Sequence, residues 1–126
     1  MITSYISRSF QNSSNINSAI STVTNTGLIA ISDVCTAGST NTVSLAYDAS
    51  TVTALYVQCS NDGTTFNPGS GTSVTLNFVD ATIPYTWQTN DNSPSNSWND
   101  DFTTVVVTNG SMTDDDAFVI WVSYTI

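Results

Sequence analysis

Short runs in which apolar and polar residues alternate recur along most of the chain: TGLIAISDV (26–34), NTVSLAYDA (41–49), VTALYVQC (52–59), TSVTLNFV (72–79), TIPYTWQT (82–89), FTTVVVTN (102–109) and AFVIWVSYTI (117–126). A period of two sends successive side chains to opposite faces, so each run predicts a β-strand. Between the runs lie clusters of Gly, Ser, Asn, Asp and Pro, the residues that set turns. Strands at this spacing predict an all-β domain over residues 23–126, a single antiparallel β-sandwich or a jelly-roll-like barrel. No segment has helical periodicity of useful length.

The last two runs predict a hairpin. Val105 and Val107 lead to the turn signal Asn109-Gly110, and Phe118, Ile120 and Val122 then share one face of the closing strand. The other face is also largely apolar, with Val119 and Trp121 ahead of Ser123. A strand with one wet face would be polar at every second position, so this face needs cover from a second sheet or another subunit. Val119, Trp121 and Ser123 are therefore the expected oligomer interface, with the N-terminal segment as the alternative cover.

Residues 1–22 read differently. Ile2, Tyr5, Ile6, Phe10, Ile16 and Ile20 are scattered among Ser and Asn, too sparse for a core. They predict either an extended arm ordered by the surface it lies against, or a first edge strand and a loop. Arg8 sits inside YISRSF, where its guanidinium can pair bidentately with a carboxylate of a neighbouring subunit. Ile2, Tyr5, Ile6, Arg8 and Phe10 are accordingly the expected attachment residues.

Charge narrows the partners. Arg8 is the only basic residue of 126, against ten aspartates and no glutamate, for a net charge of −9. Nothing neutralises phosphate, which argues against nucleic acid and against anionic membranes. No stretch approaches the ~18 to 20 apolar residues of a membrane-spanning helix, and MITSYISRSF lacks the basic and apolar regions of a secretory leader, so a soluble chain is expected. Ser, Thr and Asn make up most of the remaining surface, in keeping with strands and turns rather than helices.

Candidate chemistry is sparse. Without His, Lys or Glu, the Ser-His-Asp, Cys-His and Ser-Lys arrangements are excluded, and a non-enzymatic protein is expected. An aspartate pair could do acid-base work, but Asp100-Asp101 and Asp114-Asp115-Asp116 sit where solvated turn residues are expected. The latter run is also the one weak candidate for calcium; no other cofactor is indicated. An EF-hand starting at Asp91 fails, because its sixth position is Asn96 and its twelfth Phe102. NPGSGTS lacks the lysine of a P-loop. Cys35 and Cys59 read as two small core residues, or as one disulfide should their strands be neighbours. Trp98, in the long polar loop 90–101, reads as an exposed contact aromatic or as a ring tucked over the end of the sandwich.

Residues 72–126 resemble auxiliary head proteins of tailed bacteriophages, of the decoration, cement or head-fibre type. The likeness is carried by VTLNFVDATIPYTW, with Pro84, Tyr85 and Trp87, by DDFTTVVVTNGS, and by the closing DAFVIWVSYTI. This chain departs from it in having Trp121 and Ser123 where a basic residue is common. The resemblance implies a virion protein that binds the outer face of a capsid, commonly as a homotrimer, with the major capsid protein or another virion protein as partner and the N-terminal residues above as the capsid attachment. Two other roles fit the same residues. A carbohydrate-binding or host-recognition module would stack sugars on Trp98, Tyr85 or Trp87, and a self-assembling coat or filament subunit would form particles alone.

Overall fold

The computed structural model describes residues 27–69, 71–89 and 95–125 in full, and 2–11 and 16–25 as strand backbone. Ten strands follow in chain order: β1 (Ile2–Gln11), β2 (Ile16–Asn25), β3 (Gly27–Cys35), β4 (Thr40–Tyr47), β5 (Val52–Cys59), β6 (Thr64–Pro68), β7 (Leu76–Phe78), β8 (Tyr85–Gln88), β9 (Phe102–Thr108) and β10 (Asp116–Tyr124). There is no helix among the described residues.

Two four-stranded antiparallel sheets pack face to face, in the orders β3-β10-β5-β8 and β4-β9-β6-β7. The pairings β3 with β10, β4 with β9, β5 with β8 and β6 with β7 are nested, so the chain runs like one long antiparallel ribbon folded back on itself. The all-β sandwich predicted from the alternation is what forms. β1 and β2 pair with each other as a separate two-stranded sheet, from Ile2 opposite Asn25 to Gln11 opposite Ile16.

Two expectations are corrected. TTFNP, inside what the sequence reads as a connection, forms β6, because Thr64, Phe66 and Pro68 alternate inward. The final two runs do not make a hairpin: β9 pairs with β4 and β6 in one sheet, β10 with β3 and β5 in the other. Asn109 is the reason. Its side-chain amide donates to the carbonyls of Asp114 (2.8 Å), Cys35 (3.1 Å) and Thr36 (3.4 Å), and its own carbonyl oxygen Oδ1 accepts from the Ser111 amide. The residue is a buried corner at which the chain changes sheets. Asp62-Gly63 forms a turn as well, Gly63 taking a φ of 83°, and it too leads from one sheet to the other.

The inward faces fill the space between the sheets. Leu55, Val57, Ile120 and Val122 of one sheet meet Phe66, Val105 and Val107 of the other. The Phe66 ring stands edge-on to Phe78 (5.3 Å) and, across the sheets, to Phe118 (5.7 Å), a preferred aromatic geometry. β10, flanked by strands on both sides, is central in its sheet, which accounts for its apolar inner face. Cys35 and Cys59 lie on opposite sides of β10, on β3 and β5. Two strand spacings, roughly 10 Å, exceed the ~7 Å Cα limit of a disulfide, and both cysteines are free and buried.

Candidate interaction surface

The acidic residues are occupied by the fold. Eight of the nine described aspartates accept a hydrogen bond from a backbone amide, mostly in the loops, as at Asp48, Asp62, Asp80 and Asp101. A carboxylate one methylene from the backbone reaches a neighbouring turn where the longer Glu would overshoot. In the run taken as a weak calcium candidate, the carboxylates diverge. Asp115 accepts from the Ala37 amide, while Asp116, fully buried, accepts from the amides of Ser60 (2.7 Å) and Asn61 (3.3 Å) and the hydroxyls of Ser60 and Thr64. Asp114 gives its main-chain carbonyl to Asn61 and Asn109. Among the described residues no group of three or more His, Cys, Asp or Glu is arranged to hold a metal ion.

Trp98 is corrected as a contact residue. Its exposure is 0 %, because the loop folds over the end of the sandwich and inserts the ring edge-on against Tyr47 and Phe102, which are themselves stacked 4.3 Å apart. The indole N–H donates to the Val74 carbonyl (3.1 Å). Around it, the Tyr47 hydroxyl donates to the Trp98 carbonyl and accepts from the Asn96 amide, and the Tyr85 hydroxyl donates to Asn96 Oδ1. Burial pushes the Tyr47 phenol well above its ordinary range, against the opposing bond from Asn96. Asp100 pins the same loop to Thr72, whose hydroxyl and amide hold its carboxyl below the usual range. Tyr85 and Trp87 are half-buried and packed on the core, Trp87 on the wall of an open cleft of about 490 Å³ shared with Asn96, Asn99 and Asp101.

No activated nucleophile emerges here. Burial, and then the charge of Asp116, push the Cys59 thiol up to about 12, so at neutral pH it keeps its proton and donates to the Asn61 carbonyl.

What stands open is the outer face of the β3-β10-β5-β8 sheet. Trp121 is 47 % exposed and stacks on Tyr56 of the neighbouring strand, the ring centroids 5.1 Å apart at 25°. Register places Ala30 on β3 and Thr86 on β8 in the same row. Val119 lies half-buried one row along, and Leu28 and Val34 mark the two ends of β3 at 50 % and 49 % exposure. Of the three residues expected at an oligomer interface, Trp121 is exposed on this face and Val119 half-buried on it, whereas Ser123 is buried. In its row Ala54 and Gln88 are buried too, while Leu28 on the β3 edge stays exposed; Gln88 is 1 % exposed and its amide has no hydrogen-bond partner among the described residues. Tyr56 was missed by the sequence reading, although its out-of-phase position in VTALYVQC is the available signal. The expected attachment residues Ile2, Tyr5, Ile6, Arg8 and Phe10 lie on β1, and their side chains fall outside the described residues.

Comparison with known protein families, curated proteins and solved structures returns no match to this chain.

Proposed function

We propose that the chain is a non-enzymatic structural protein of a bacteriophage virion, a homo-oligomer, with a trimer as the form implied by the phage resemblance, that decorates or stabilises the outer surface of the capsid with the major capsid protein as its partner. The observation that carries this reading is the nested strand order. Two sheets ordered β3-β10-β5-β8 and β4-β9-β6-β7 support a jelly roll, an eight-stranded double Greek key used in viral capsid and lectin domains. Fold alone does not assign function, so the surfaces carry the rest. Among the described residues most aspartates serve the loops, the thiols are buried, and the most exposed aromatic ring, Trp121, stacks on Tyr56 on a sheet face suited to another protein surface.

The glycan-binding alternative has less support. Trp98 is buried, and Tyr85 commits its hydroxyl to Asn96 and Ser97. Trp87 alone is left at a cleft wall.

Gold-labelled antibody against residues 27–125, applied to particles purified from the source culture, tests the proposal by electron microscopy. Label on intact capsid surfaces is expected. Purified particles that lack the chain contradict it.

A further inference from the structure

We infer that the β1–β2 hairpin of one copy covers the Tyr56–Trp121 face of a neighbouring copy, joining the chains head to tail. This does not rest on the virion reading, and it gives the N-terminal residues a different occupant from a capsid.

Both parts need cover. A two-stranded hairpin is at best marginally stable in water without a surface to pack on, and β1 and β2 pair only with each other. The register places Ile2, Ser4, Ile6, Arg8 and Phe10 on one face of the hairpin, opposite Asn25, Val23, Ser21, Ala19 and Asn17. That face combines apolar residues with the only cation in the chain. On the body, the row of Ala30, Trp121, Tyr56 and Thr86 and the half-buried Val119 beyond it form a largely apolar sheet face on which no described strand packs.

Charge separates the same way. All ten aspartates lie at or beyond Asp33 and Arg8 lies in β1, so the hairpin carries +1 and the rest of the chain −10, which together make the net −9. Two bodies facing each other directly would repel, whereas a hairpin meeting a body would not.

The hairpin covers only part of its own sheet. A single residue separates Asn25 from Gly27, so the ends of β2 and β3 lie at most about 7 Å apart, while sheets stacked face to face stand about 10 Å apart. A hairpin rooted so closely can lean on the first row of its own sheet. β2 does approach β5, and burial is found on the β10-β5-β8 side of that first row, at Ser123, Ala54 and Gln88, but not at Leu28 on β3, and it stops before Trp121. The rows further out are left for a second copy. With ten residues per strand, about 33 Å long, the hairpin has the reach to cover them.

Two variants, each lacking one half of the contact, test this. Deletion of residues 1–25 removes the hairpin and keeps the face; Trp121→Asp keeps the hairpin and blocks the face. Circular dichroism confirms that each still folds, and Trp121→Ser replaces Trp121→Asp if the latter does not. Sedimentation velocity should show wild type as an oligomer, each variant alone as a monomer, and an equimolar mixture forming a complex of one of each. Three results overturn the inference: oligomers of the deletion variant alone, which mean face-to-face pairing; no complex in the mixture; or monomeric wild type, which means that the chain covers its own face.

Discussion

The hydroxyl of Thr64 on β6 donates to the buried carboxylate of Asp116 on β10, tying one sheet to the other at the corner where the chain leaves β5. The same carboxylate gathers two backbone amides and the Ser60 hydroxyl, so one aspartate replaces the water that four donors would otherwise need. A buried carboxylate is tolerable on these terms because both of its oxygens accept from donors, three at Oδ1 and one at Oδ2.

Asp116→Ala leaves the buried Thr64 hydroxyl and the part-buried donors of Ser60 and Asn61 without their acceptor. The expected loss is about 3 kcal/mol of unfolding free energy, taken from the cost of deleting charged hydrogen bonds and measured by urea titration. A loss under about 0.5 kcal/mol contradicts the role assigned to this residue.

Asn109→Asp replaces an amide that donates to three carbonyls with an oxygen that repels them. We expect about 2 to 3 kcal/mol of destabilisation, read as a fall in thermal midpoint, with Asn109→Ala milder because it adds no repulsion.

Acid should loosen the loops. The carboxyls of Asp80 and Asp100 are held low by the hydroxyls and amides of Thr82 and Thr72. A depressed folded-state pKa contributes stability that is present above the unfolded value, near 4, and is lost as pH falls through the folded one. The thermal midpoint should therefore drop below pH ~4, and less steeply in Asp100→Asn. An equally steep drop in that variant contradicts the assignment.

These predictions rest on parts of the structure that the sequence disclosed unevenly. Period-two runs mark β3, β4, β5, β9 and β10 closely, because each has an inner face that must be apolar. They overextend β7 and β8: only Leu76–Phe78 and Tyr85–Gln88 pair, since Thr72 and Val74 bond instead to the loop that carries Trp98. β6 escaped notice because it is short, with Phe66 as its one large inward side chain. Trp98 was ambiguous for a related reason. Polar neighbours along the chain say nothing about a ring when Asn96 and Asp100 satisfy the loop's polar groups locally. The exposed half of the β10 face was legible from Val119 and Trp121, but Tyr56 became part of it only through the β5–β10 register.

The two tryptophans should behave oppositely. Trp98→Ala empties a fully buried site and is expected to cost about 3 to 5 kcal/mol. Trp121→Ser removes a surface stack worth about 1 kcal/mol to the single chain. Equal losses by chemical unfolding contradict the distinction between anchor and contact.

That distinction carries the central claim, that the outer face of the β3-β10-β5-β8 sheet is where another protein chain docks. Sedimentation velocity of wild type and Trp121→Ser, run side by side over a range of concentrations, tests it most directly. Wild type should sediment as more than one chain and Trp121→Ser as a folded monomer; a variant that assembles as well as wild type would overturn this assignment.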